Sequence, residues 1–253
     1  MAVPKQDADI KQKYSWDETI RTWFFALLLA LVFRSLAFEP FHIPSGSMKS
    51  TLLVGDYLFV SKYSYGYSRY SFPFSLPLFS GRILESRLPQ RGDVVVFREP
   101  SDPRVDFIKR IIGLPGDHIQ LKDGIVYLNG APLPRQPEGD FADAENPSNI
   151  RAIPRFAETL PGGKRFDILK ERRYGMADDT PVYDVPPDHY FMMGDNRDNS
   201  RDSRFSDVGF VPAENLVGKA EIIFFSTNGT AQWTDPLSWF TAMRFRRFFT
   251  WIK

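Results

Sequence analysis

The residues best suited to chemistry lie in Phe41-His42-Ile43-Pro44-Ser45-Gly46-Ser47-Met48-Lys49-Ser50-Thr51-Leu52, where hydroxyls crowd one short turn. Pro44 fixes its φ and Gly46 permits values that other residues resist, so the turn is tightly defined. Such a turn can present a nucleophile beside an oxyanion donor, or it can be a polar loop. A serine nucleophile needs a base within hydrogen-bond reach. Histidine is the usual base, but the chain has only His42, His118 and His189; His42 lies on an extended segment and reads as a surface residue, and Asp188-His189 only mimics a triad pair. Metal chemistry has less support. There is no His-Glu-x-x-His, and Asp195, Asp198 and Asp202 are interleaved with Arg197, Arg201 and Arg204, a pattern of internal ion pairs. Neither a metal nor a cofactor is expected.

A lysine can also act as the base if loss of water brings its pKa towards neutrality. Burial is then the requirement, and strand periodicity speaks to it. In Val105–Ile112, Lys109 shares a face with Phe107 and Ile111, while Asp106, Ile108, Arg110 and Ile112 take the other. Lowering the Lys109 pKa by about 2–3 units costs roughly 3–4 kcal/mol. Arg110 cannot substitute, because guanidinium does not deprotonate usefully. Lys62 shares a strand face with Leu58 and Val60, so burial alone leaves it a rival. Lys49 is near Ser47 but sits in a polar loop, where it is expected to remain charged.

The elements that position these groups follow from patterning. The chain has 253 residues and 43% hydrophobic content, enough for a full core. A formal charge of +1 argues against nucleic-acid binding. The absence of cysteine excludes disulfides, thiol catalysis and thiolate metal sites. Residues 1–19 are polar and of mixed charge, a cytoplasmic tail. Residues 20–38 form an apolar run that reaches the roughly 20 residues of a bilayer span if Arg21 and Arg34 snorkel at its ends. Arg34-Ser35-Leu36-Ala37-Phe38-Glu39-Pro40 makes a poor signal-peptide cleavage site, and Trp23–Phe33 has no polar face for a soluble core helix. One uncleaved anchor is the reading, with the N-terminus cytoplasmic because lysines and Arg21 precede the span.

Beyond it the ectodomain reads as mostly β. Strands are expected at 56–63, 93–97, 105–112, 118–121, 125–128, 189–193 and 217–225, and the aromatic stretch 63–84 as an extended hairpin dipping into the bilayer interface. Residues 39–129 and 188–230 make the catalytic β domain, and 130–187 an inserted β-rich subdomain of limited core. Residues 231–253 mix aromatics with Arg244, Arg246 and Arg247, as in a helix lying on an anionic membrane.

Taken together the motifs resemble the bacterial type I signal peptidases (leader peptidases), membrane-anchored serine–lysine proteases. The resemblance is carried by Glu39–Met48, Gly55-Asp56 through Lys62 with Tyr65-Gly66, Arg91–Phe97, Phe107–Asp117, and Met193–Ser200 with Asp202-Ser203-Arg204. It implies that Ser47 is the nucleophile and Lys109 the general base, with Lys62 structural. The Ser47 N–H and the Ser45 hydroxyl would form the oxyanion hole. Ser200 would orient Lys109, with Asp202 and Arg204 supporting that turn, and Ile43, Met48, Leu52 and Ile108 would line pockets for small side chains. It further implies an antiparallel β domain on the outer face of the cytoplasmic membrane. Its partners would be the bilayer and secretory preproteins, cleaved after Ala-x-Ala-type sites.

This chain departs from the family in three places. Ser50 stands where the family's turn usually carries proline, there is one span where several relatives have two, and the Arg-rich C-terminus lies beyond the shared blocks. Two other readings are a self-cleaving repressor-type Ser–Lys protease and a membrane-anchored module that binds exported peptides without cutting them. The apolar N-terminus disfavours the first, and the presence of both Ser47 and Lys109 the second.

Overall fold

The computed structural model describes residues 16–72, 75, 80–85, 87–143, 150–231 and 234–253. It opens with helix α1, Trp16–Leu36, of 21 residues, whose apolar side chains are exposed almost throughout. By length and composition this helix can cross a membrane. It begins and ends earlier than the apolar run 20–38, because Phe38 opens the first strand.

Among the described residues the strands follow in chain order: β1 Phe38–His42, β2 Asp56–Ser61, β3 Val94–Arg98, β4 Asp106–Gly113, β5 His118–Lys122, β6 Ile125–Leu128, β7 Ala131–Pro132, β8 Arg135–Asp143, β9 Arg151–Thr159, β10 Arg165–Leu169, β11 Tyr183–Asp184, β12 His189–Met193, β13 Val211–Pro212, β14 Leu216–Ser226 and β15 Thr250–Trp251. The main sheet runs β1-β2-β14-β3-β4-β12-β13, with β15 also paired to β14. All its pairings are antiparallel. Period-two alternation explains its two faces. Val94 and Val96 pack with Ile43, Met48, Leu58 and Ile108, while Val95 and Phe97 pack with Ile111, Met192 and Leu216. Burying each such side chain contributes about 1.5–3 kcal/mol.

The stretch 130–187 is more closely integrated than its composition suggests. Strands β7 and β11 join β5 and β6 in a second sheet, so a boundary at 129/130 falls inside that sheet. Strands β8–β10 form a third, three-stranded sheet. Instead of a limited core of its own, this region contributes Leu133, Leu160, Phe166, Ile168 and Val185 to a cluster shared with Ile112 of β4 and Phe191 of β12.

Two membrane expectations change. Among the described residues of 63–84 no extended hairpin is seen: a 3-10 turn spans Arg69–Ser71, and an isolated bridge, Tyr67 to Ile83, pairs the ends. Tyr65 is buried and bonds Asp93 at 2.9 Å, and Tyr70 joins the core, so alternation here does not mark a lipid-facing surface. Phe74, Leu76, Leu78 and Phe79 lie outside the described residues. At the C-terminus the helix, α2, is only Pro236–Ala242 and stops before the arginines. Arg244 turns inward onto the carbonyls of Val54 and Thr227, and Arg247 bonds Asp56 at 3.0 Å and the Thr51 carbonyl at 2.9 Å. Leu237, Phe240, Phe245, Phe249 and Trp251 stay exposed.

Asp56 is wholly buried and also accepts from Leu53 N and Ser226 Oγ. Removing it strands partly buried guanidinium groups. Asp56→Ala is therefore expected to cost about 2–4 kcal/mol, seen as a fall in Tm in detergent.

Candidate active site

The site forms where β1, β4 and the loop after β12 meet. Strand β4 lies between β3 and β12, with Lys109 opposite Val95 and Arg110 opposite both Val94 and Met193. Met193 ends β12, so the loop from Gly194 starts beside the lysine. From the other side β1 delivers Ile43-Pro44-Ser45 into a 3-10 turn, Gly46–Met48. Gly46 does not take a positive φ. What it supplies is room: a Cβ there would come within 2.9 Å of the Lys49 side chain.

The Lys109 ammonium nitrogen lies 2.8 Å from Ser47 Oγ and 3.0 Å from the Ile108 carbonyl. It is 4% exposed, and the Phe107 ring centroid is 5.0 Å away. Burial holds its pKa down at about 8, opposed by the charges of Asp202 and Asp195 and assisted by Arg204. Lys62 is just as buried, but Glu39 pairs with it at 2.8 Å and the Ser71 carbonyl takes another bond at 2.6 Å. The two lysines thus differ in their partners, one facing a hydroxyl and the other a carboxylate.

Ser45 is exposed at the rim with Oγ 3.5 Å from Ser47 Oγ, and its side chain does not cap the 3-10 turn. The Ser47 N–H belongs to the first residues of that turn, which have no acceptor within it. Both groups therefore border one cleft of about 550 Å³, walled by Phe41–Ser47 on one side and Val105–Lys109 on the other, with Asn199 and Arg201 at its edge. Ile43 and Ile108 line it. Met48 and Leu52 do not: both are fully buried in the core beneath the turn. His42 is in the cleft wall but packs at a tilt against Tyr57, with centroids 4.7 Å apart.

Behind the lysine, Asp202 receives both arms of Arg204 at 2.8 Å and the Gly194 N–H at 2.9 Å. Burial pushes the Asp202 carboxyl up, but Arg204 and the Gly194 N–H outweigh it and hold the group below its ordinary range. Ser200 Oγ is buried beside the Asp202 carboxylate and helps to hold it down. The acidic cluster is occupied by the protein's own cations. Arg110 bonds Asp195 at 2.9 and 2.7 Å, and Lys170 bonds Asp198 at 2.6 Å.

Residues 16–225 match the model of the family described as signal peptidase, peptidase S26. The chain belongs to the signal peptidase family. Signal peptidase I of Rickettsia typhi (strain ATCC VR-144 / Wilmington) is 44% identical over 242 residues, covering 91% of this chain and 85% of the relative. That of Rickettsia canadensis (strain McKiel) is 46% identical over 226 residues, covering 85% and 81%. Among solved structures, a signal peptidase I from Enterococcus faecalis V583 is 28% identical, spanning 53% of this chain and 97% of that one, with a TM-score of 0.31.

Several residues that build this cleft were not singled out from the sequence. Asn196 donates its backbone N–H to the Ser47 carbonyl and its amide to the Gly46 carbonyl, both at 3.0 Å. Gly194 leaves no room for a side chain: a Cβ would lie 2.2 Å from Ser200 Oγ and 2.6 Å from the Ser47 carbonyl oxygen. Arg110 is fully buried and joins Asp195, Thr51 and the Gly92 carbonyl. Their common signal was membership of the shared blocks, which says nothing of which atoms they touch. Lys49 also differs from expectation. It does not lie in an open polar loop but is 4% exposed and bonded to both oxygens of Asp143, at 2.9 and 2.8 Å.

Proposed function

We propose that this chain is a membrane-anchored serine endopeptidase that removes signal peptides from exported preproteins, with Ser47 as nucleophile and Lys109 as general base. The 2.8 Å bond between a buried amine and the hydroxyl at the cleft is the observation that carries it. Neutral Lys109 accepts the Ser47 proton as Oγ attacks the scissile carbonyl carbon. The Ser47 N–H and Ser45 hydroxyl then hold the oxyanion, each such donor being typically worth about 3–4 kcal/mol. The protonated lysine returns its proton to the departing amine, and water hydrolyses the acyl-enzyme by the same route in reverse. Rotation of the Ser200 hydroxyl onto the amine would orient it once substrate excludes water, because such contacts tighten in the complex. Asp202 and Arg204 keep that turn in place.

Ile43 and Ile108 narrow the cleft so that only small side chains enter, which suits an Ala-x-Ala site. Met48 and Leu52 act from behind, by fixing the turn. The peptide binds extended along the cleft walls. Helix α1 anchors the chain in the cytoplasmic membrane with its N-terminus inside. The exposed aromatics of the C-terminal segment, together with Tyr63 beside Phe38, face the bilayer.

Incubating the detergent-solubilised protein with a preprotein and sequencing the product's new N-terminus tests this. Cleavage after a small residue is expected, and retention of activity by Ser47→Ala would overturn the assignment. The rate also reports the base. Only the unprotonated lysine can accept a proton, so kcat/KM is expected to climb through about pH 8 and then level off. A profile flat from about pH 7 to 9.5 would rule out Lys109.

A further inference from the structure

Lys49 and Ser50 follow the nucleophile's turn directly, and both reach into the three-stranded sheet β8–β10. The Lys49 ammonium bonds both carboxylate oxygens of Asp143, at the end of β8, and each side chain is 5% exposed. Asp143 also takes Arg151 at 3.2 Å, and Arg151 reaches Glu171 at 2.7 Å. Ser50 Oγ donates to the Asp167 carbonyl of β10 at 2.7 Å. Ser50 has φ 89°, a left-handed conformation closed to proline and strained for a residue with a side chain. Without an outside tether, a strained residue three positions from Ser47 would relax. The stem of Lys49 lies against Gly46, so displacement of the lysine moves the backbone that carries Ser47.

We propose that the β8–β10 sheet is a positioning device for Ser47, acting through the Lys49–Asp143 ion pair and the Ser50 hydrogen bond. The proposal rests on Ser47 being the nucleophile. A buried ion pair contributes little net stability compared with apolar packing, but breaking it is costly. Neutralising Asp143 weakens the hold of β8 on the Lys49 ammonium, and the lysine stem against Gly46 passes that loosening to the turn. Substrate still finds the Ile43 and Ile108 walls, so binding persists while the attack geometry is lost. A misplacement of about 1 Å costs roughly 10²-fold in rate.

The test is steady-state cleavage of a preprotein by the full-length protein in detergent, for wild type, Asp143→Asn, Lys49→Met and Lys49→Arg, with Tm measured alongside. Asp143→Asn and Lys49→Met are expected to lower kcat by about 10–100-fold with KM within about twofold, and Lys49→Arg to recover most of kcat. The double variant Lys49→Met/Asp143→Asn should be no slower than the worse single, since the two residues act as one unit. Three results would overturn the proposal: wild-type kcat in a folded Asp143→Asn, a loss confined to KM, or a loss that only follows the unfolded fraction. If wild type itself does not cleave, the reading of Ser47 fails, and not this inference alone.

Discussion

Lys109→Met is expected to abolish cleavage and yet to give a more stable protein below pH 8. Losing the base costs at least about 10⁴-fold in rate, as does Ser47→Ala, because neither member of a nucleophile–base pair works without the other. The stability change follows from the lysine's pKa of about 8 in the folded protein, against about 10.4 in an unfolded chain. Folding therefore opposes the charged form. Below about pH 8 both states carry the proton, and the whole penalty of burying the ammonium, about 3 kcal/mol, is present. Between about pH 8 and 10.4 the unfolded chain binds more protons than the folded one, so wild-type stability rises with pH. Methionine, of similar length and without charge, escapes this penalty and keeps packing against Phe107. Thermal unfolding in detergent should place the Lys109→Met Tm several degrees above wild type at pH 6.5, and the gap should narrow towards pH 10. An unchanged gap across that range would mean that Lys109 titrates normally in the fold. Ser47→Ala, which leaves the buried amine in place, should lose activity without that pH-dependent gain.

How much of this was legible in the sequence depended on whether the cause was local. Period-two alternation depends on neighbours in the chain, and the strands Ile125–Leu128 and His189–Met193 fall where the pattern places them. The same pattern misleads over residues 63–84. There Tyr65 and Tyr70 are held by Asp93 and the core, partners distant in sequence, and not by a strand ladder. Burial of Lys109 was readable from Phe107 and Ile111, but so was burial of Lys62, and only the fold brings Glu39 to one and Ser47 to the other. Charge behaved similarly. Lys49, Arg244 and Arg247 look solvent- or lipid-facing by composition, yet each pairs with a carboxylate far along the chain. An ion pair across such a separation leaves no periodic trace. The sequence can show that a charge exists; it cannot show which way it turns.

Gly194→Ala is expected to fold and bind substrate while losing about 10²–10³-fold in kcat. The glycine separates β12 from the acidic loop, and its α-carbon faces both halves of the site at once. An added methyl would lie 2.2 Å from Ser200 Oγ, 2.5 Å from Ser200 Cβ and 2.6 Å from the Ser47 carbonyl oxygen. No real contact is that short, so something must give way. Ser200 is bound to the loop whose Asp202 is clamped by Arg204 and by the Gly194 N–H itself, so it cannot retreat alone. The Ser47 carbonyl is held by Asn196 N, from the same loop, at 3.0 Å. Whichever side yields, the relation between Ser47 and the groups behind Lys109 changes by a sizeable fraction of an ångström. Gly194 does not need a positive φ, so the stability cost comes from the overpacking alone, about 1–3 kcal/mol. The measurement is kcat and KM for Gly194→Ala beside its Tm. A fall in kcat with KM held and the protein folded is the expected signature, whereas near-wild-type kcat would show that the site tolerates a gap the geometry forbids.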